Sequence, residues 1–71
     1  MFENIQLIQD NRNYTIIQVD NCIICFSYKK PICAYDAENK KIVKFSKNIV
    51  TETNKKHFVF FLKYLQKTID N

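Results

Sequence analysis

The sequence predicts an α+β fold in which an antiparallel β-meander of four to five strands packs on one C-terminal α-helix. Over residues 4–46, runs rich in β-branched and aromatic residues alternate with clusters of Asn and Asp. The apolar spacing then changes to a helical period over residues 54–69. A chain of 71 residues has room for one hydrophobic core, so residues 1–71 are expected to form a single domain.

The strands are predicted from the residues that separate them. Because the chain contains no glycine, its turns must use Asn and Asp, which tolerate left-handed backbone. Asp20 and Asn21 separate Tyr14–Val19 from a run at 22–28, which is typical of a two-residue hairpin. Pro31 is expected at a kink or a sheet edge, because it has no N–H to donate. The other predicted strands are 5–9, 32–35 and 41–45, with turns at 10–13 and 36–40.

The C-terminal third is predicted to form one amphipathic helix. Thr53 is the expected N-cap, because its hydroxyl can accept a hydrogen bond from the first turn. Lys67 lies in the last turn, where a cation suits the helix dipole. The apolar stripe consists of Phe58, Phe61, Leu62, Leu65 and Ile69.

The predicted central strands are apolar on both faces, although one helix covers only one face of a sheet. In Tyr14–Val19, for example, Ile16 and Ile17 point to opposite sides. Strands of this kind are normally buried on both faces. The second face can be covered by the N-terminal segment or left exposed as ordinary surface. Alternatively, the second face is an interface for self-association or for a target.

Residues that commonly carry chemistry are scarce in this chain. Cys22 and Cys25 have the C-x-x-C spacing of zinc and dithiol sites. Residues three apart in a strand point to opposite faces, so these cysteines and Cys33 are expected to be packed thiols. His57, the single histidine, is expected to be a structural imidazole near the helix start. We therefore expect no enzymatic activity, no metal and no cofactor.

The net charge is +4, and all of it falls in residues 36–71. Lysines and aromatic residues that alternate on an exposed helix face suit an acidic protein surface or unpaired bases. Alternatively, the aromatic residues only broaden the buried stripe. Arginine is preferred for contacts to phosphates and bases, and the chain has one, Arg12, so nucleic acid is the less favoured partner. The candidate partner-binding residues are Lys55, Lys56, Phe60, Lys63, Tyr64 and Lys67.

The cellular location is predicted from what the sequence does not contain. No apolar run approaches the roughly 18 residues of a membrane span, and the N-terminus has no basic-then-apolar signal pattern. An odd number of cysteines, three, fits a reducing compartment. We expect a cytoplasmic protein, in the host cytoplasm if it is viral, with no membrane partner.

Two stretches resemble motifs of a known family. Residues 27–35 (S-Y-K-K-P-I-C-A-Y) resemble S-Y-x-x-P-[IV]-A-x-[YV], and residues 51–57 (T-E-T-N-K-K-H) resemble [ST]-x-T-[TS]-x-K-H before a short helix. Over residues 14–62 the chain resembles an uncharacterised family of small tailed-phage and mobile-element proteins, a domain of unknown function. It departs from that pattern at Asn54, where the family prefers a second threonine, and at Cys33.

The resemblance implies a small phage-type accessory protein. Such proteins commonly act by stoichiometric binding to a host protein, and inhibition of a host defence nuclease (an anti-CRISPR-like role) is one example. The expected function is therefore non-enzymatic protein–protein binding, through the open sheet face or the lysine-rich helix. The alternatives are a nucleic-acid-binding accessory protein that uses the same helix, and a structural homodimer.

Overall fold

The computed structural model describes residues 5–10 and 13–69, which form one sheet of five strands and one long helix. The predicted α+β class is confirmed, with five strands in the meander. Of the turn predicted at 10–13, residues 11 and 12 lie outside the described residues. The elements are β1 (Ile5–Asp10), β2 (Tyr14–Val19), β3 (Cys22–Ser27), β4 (Lys30–Asp36), β5 (Lys41–Lys44), a 3₁₀ turn (Ser46–Asn48) and α1 (Glu52–Ile69).

The five strands pair antiparallel in their order along the chain. Val19 pairs with Cys22 across the predicted two-residue turn. The register shifts at two places, between Leu7 and Gln9 of β1 and between Cys25 and Phe26 of β3. Each shift places one extra residue on one strand, which bends it locally.

Among the described residues, three adopt left-handed backbone: Asp20 (φ 54°), Tyr28 (φ 61°) and Lys40 (φ 55°). Asp tolerates this region, whereas a bulky residue adopts it rarely. Tyr28 was predicted to end β3, but it lies in the turn after Ser27, where its N–H donates to the carbonyl of Asn13 at 2.7 Å. The left-handed backbone explains why β3 ends one residue earlier than predicted.

Pro31 lies within β4, which begins two residues earlier than the predicted strand at 32–35 and is not an edge strand of the sheet. It pairs with Phe26, directly after the register shift between β3 and β4. Pairing of β4 with β5 begins only at Cys33, so the missing N–H of Pro31 lies where β4 has no β5 partner. The Pro31 carbonyl accepts a hydrogen bond from Asn48 Nδ2 at 2.8 Å.

Helix α1 begins at Glu52, and its N-cap is Thr51, so the prediction of Thr53 as the N-cap is wrong. Thr51 Oγ1 accepts the N–H of Asn54 at 3.1 Å, and Asn54 Oδ1 accepts the N–H of Thr51 at 3.0 Å. This reciprocal pair is a capping box with Asn where Glu or Gln is usual. Thr53 therefore lies within the first turn of the helix.

The core lies between α1 and the sheet face turned toward it. Phe61 and Leu65 of the predicted stripe are buried, whereas Phe58 and Leu62 are half-buried. The side chain of Ile69 lies outside the described residues. The buried side of α1 also includes two polar residues that the predicted stripe did not contain, Asn54 and His57, each only 8% exposed. The apolar core consists of Tyr14, Ile16, Ile23, Cys25, Ile32, Cys33, Tyr35, Phe61 and Leu65.

Candidate functional site

The sheet face turned away from α1, which we call the outer face, carries an unbroken apolar row across all five strands. The row runs Leu7–Ile17–Ile24–Ala34–Val43, each residue paired with the next across neighbouring strands. Paired residues of an antiparallel sheet project to the same side and lie about 4.5–5.5 Å apart at Cβ. The row therefore forms one continuous apolar strip on the outer face.

Two further rows flank this strip, and no residue of the three rows is buried. The outermost side chains are well exposed, with Ile5 at 67%, Leu7 at 58% and Val43 at 46%. Within residues 5–10 and 13–69, no element packs on this face, so the described chain does not cover it. The flanking rows are Asp10, Thr15, Phe26 and Pro31 on one side, and Ile5, Val19, Cys22, Asp36 and Lys41 on the other.

The predicted helix residues form a second exposed area, which we call the helix surface. Phe60 is 50% exposed, and its ring meets Tyr14 edge-on at 6.0 Å. Tyr64 differs, because it is half-buried and its ring stacks on Phe61 at 6.4 Å. The broadened-stripe alternative therefore describes Tyr64 better than Phe60. The exposed members of the helix surface are Lys55, Lys56, Phe60, Lys63 and Lys67.

A buried polar cluster joins the sheet to the start of α1. Ser27 Oγ lies 2.6 Å from His57 Nδ1, and Asn54 Nδ2 donates to Ser27 Oγ at 2.8 Å. Ser27 is only 2% exposed. The His57 ring also stacks on Tyr14, with centroids 5.1 Å apart. All three polar side chains therefore have partners, as buried polar groups require.

One neutral tautomer of His57 satisfies all three polar groups of the cluster. Burial lowers the pKa of His57, which favours the neutral imidazole. With the imidazole proton on Nε2, the Ser27 hydroxyl accepts from Asn54 and donates to His57 Nδ1, and this arrangement gives its hydrogen an acceptor. A hydroxyl beside an imidazole is also the pairing of serine nucleophiles. Here the hydroxyl is buried and bonded on both sides, and the contact links β3 to α1.

Sequence reasoning identified His57 as a structural residue but did not identify Ser27 or Asn54. A signal was present in β3, where Ser27 follows Ile23 and Cys25 at inward-facing positions. A hydroxyl at such a position needs a buried partner. The sequence does not specify that partner, because His57 lies 30 residues further along the chain.

The cysteines are divided between the two sheet faces, as the strand geometry predicts. Cys25 and Cys33 are fully buried against α1, as expected of packed thiols, whereas Cys22 is half-buried on the outer face and is not a core thiol. Burial raises the pKa of Cys25 to about 12 and that of Cys33 to about 11. Among the described residues, no group of three or more His, Cys, Asp or Glu side chains is placed to hold a metal ion.

In the part of the chain that the structure describes, no helix has both the length and the apolar character to span a membrane. Comparisons of the chain with family models, curated proteins and solved structures gave no match. The resemblance to the phage-type family therefore remains a prediction from the two sequence motifs.

Proposed function

We propose that this protein acts by stoichiometric protein–protein binding and that the outer face is its principal binding surface. The observation that carries the proposal is the uncovered apolar row from Leu7 to Val43. Contiguous exposed apolar surface of this kind marks interaction sites in soluble proteins. A short chain also gains much of its stability from additional burial.

The occupant that we propose for the outer face is a second copy of the chain. Five strands, each about six residues long at ~3.3 Å per residue and ~4.8 Å from the next, give a flat area of roughly 480 Å². Two copies would bury on the order of 1,000 Å² in total, which is where specific interfaces begin. The charged members of the face, Asp10, Asp36 and Lys41, lie in the flanking rows, so the apolar strips would meet without burying a charge.

Packing of the two sheets would produce a helix–sheet–sheet–helix sandwich, with the sheets about 10 Å apart. The helix surface would then lie on both outer sides of the dimer. Its exposed lysines around the half-exposed Phe60 suit an acidic protein surface. For that second contact we propose a host protein, and the phage-type resemblance makes a defence nuclease the first one to test.

Sedimentation equilibrium of the wild type and two valine variants tests the role of the outer face. Val43 (46% exposed) lies on the outer face, and Val59 (45% exposed) lies on α1. Val43→Lys would place a charge in the dimer interface and raise the dimer dissociation constant at least about tenfold. Val59→Lys introduces the same charge at equal exposure and should leave the constant unchanged.

A wild-type chain that stays monomeric at about 1 mM would refute the proposed dimer, since that concentration detects even weak association. Equal loss of association in Val43→Lys and Val59→Lys would also contradict it, because a nonspecific charge effect would then explain both. If a host protein binds the monomer and only Val43→Lys abolishes that binding, the outer face is the target site. That result would also overturn the proposal that a second copy occupies this face.

Nucleic acid is the alternative partner for the helix surface. If it binds there, the affinity for a single-stranded oligonucleotide should fall steeply with salt, and Phe60→Ala together with Lys63→Gln should weaken it. Fluorescence anisotropy at about 50 and 200 mM salt measures this dependence. Absent or salt-insensitive binding would exclude the alternative.

A further inference from the structure

A basic cleft lies at the end of the sheet where α1 begins, and neither proposed binding surface includes it. It has a volume of about 530 Å³ and is bounded by the β3–β4 turn, the 3₁₀ turn and the first turn of α1. This volume is within the range of small-molecule pockets.

The charge of the cleft has one sign. Lys29 and Lys30 come from the β3–β4 turn and the start of β4, while Lys47 comes from the 3₁₀ turn, and none of the residues that line the cleft is acidic. Three lysines from two separate parts of the chain therefore line one cleft. A low-dielectric wall concentrates such a field and attracts an anion.

Neutral groups in the cleft supply what a larger anionic ligand needs. Asn13 and Asn48 offer amide donors and acceptors, and Tyr28 (51% exposed) offers an aromatic ring. The floor is formed by Ser27 and Asn54, which are held by the buried hydrogen bonds described above. The cleft is thus preformed, so binding would require little ordering of the floor.

We propose that this cleft binds a small phosphorylated ligand of nucleotide size. The lysines would neutralise the phosphate oxygens, because ammonium groups bind phosphate as compact point charges. The ring of Tyr28 would stack on the base, since every base presents a π-face to an aromatic side chain. The amides of Asn13 and Asn48 would provide hydrogen bonds to the sugar or the base.

Isothermal titration calorimetry with ADP, with inorganic phosphate and with adenosine tests the proposal. We expect ADP to bind with a dissociation constant below about 1 mM and at least tenfold more tightly than either fragment alone. Lys30→Gln and Lys47→Gln should each weaken ADP binding about tenfold, and Tyr28→Leu should weaken ADP more than phosphate. Lys40→Gln is the matched control, because this exposed lysine of the β4–β5 turn lies outside the cleft and outside both proposed binding surfaces.

Three results would overturn the proposal: no heat of binding with ADP at about 10 mM, an equal loss of affinity in Lys40→Gln, or tighter binding of an oligonucleotide than of ADP by the wild-type protein. The substituted lysines are exposed, so circular dichroism should show an unchanged fold and weakened binding can be assigned to the cleft. Val43→Lys should bind ADP normally, which separates this result from the outcome for the outer face.

Discussion

Replacement of Ser27 by alanine tests the buried polar cluster most directly. The substitution removes one oxygen, and with it the 2.6 Å contact to His57 and the 2.8 Å hydrogen bond from Asn54. Both partners remain in place and are only 8% exposed, so water reaches them poorly. Alanine leaves the strand backbone intact, so the effect reports the hydroxyl group itself.

The expected loss of stability follows from these contacts. A buried polar group left without a partner costs about 1–3 kcal/mol, and Ser27→Ala leaves two of them. Slight exposure of both partners allows some rehydration, so we expect a total of about 2–4 kcal/mol. A domain of 71 residues has a free energy of unfolding of roughly 4–10 kcal/mol. The variant should therefore lose a large share of its stability, with a Tm lower by about 10–25 °C.

Urea and thermal unfolding followed by circular dichroism measure this loss. Ser46→Ala is the matched control, because Ser46 is an exposed serine in the 3₁₀ turn. We expect its effect to stay within about 0.5 kcal/mol, as for other surface substitutions. If Ser27→Ala and Ser46→Ala shift the midpoint equally, the cluster does not stabilise the fold and the reasoning is refuted.

Three other predictions concern pH, helix capping and thiol reactivity. Burial lowers the pKa of His57 from 6.5, so the unfolded state binds more protons than the folded state at acidic pH. The free energy of unfolding should therefore decrease as the pH drops below about 6.5, by at most about 1.4 kcal/mol per pH unit. A urea midpoint that stays constant between about pH 7.5 and 5.5 would contradict this. Thr51→Ala should cost about 1 kcal/mol in urea unfolding and Thr53→Ala less, and the reverse order would place the N-cap at Thr53. Cys22 should react with a thiol reagent in the native protein. Cys25 should react only after unfolding, because burial raises its pKa to about 12. Equal reaction rates of Cys22 and Cys25 in the native protein would disprove the assigned burial.

The strand order and the open outer face could be predicted because both depend on local patterns. Asn and Asp marked the turns after β2 and β4, and apolar residues on both sides of Tyr14–Val19 exceeded what one helix covers. The expectation that every turn uses Asn or Asp is wrong at the β3–β4 turn, which is formed by Tyr28 and Lys29. The N-cap could not be assigned with the same certainty, because Thr51 and Thr53 offer the same hydroxyl. Only the reciprocal bond to Asn54 distinguishes them.

The buried cluster and the basic cleft could not be predicted from the sequence, for a different physical reason. Ser27 and His57 meet across 30 positions of the chain, and the cleft lysines come from both sides of the β4–β5 hairpin. Such contacts depend on how α1 and the 3₁₀ turn pack against the end of the sheet. The local spacing of residues in the sequence does not predict that packing.

The two edges of the sheet limit how far association can proceed. A free edge strand can recruit further strands and extend into a fibre. Here β1 is bent by its register shift between Leu7 and Gln9, and β5 is only four residues long, with Lys41 and Lys44 at its ends. Edge-to-edge growth is thereby disfavoured, so an assembly built through the flat side of the sheet would close at two subunits.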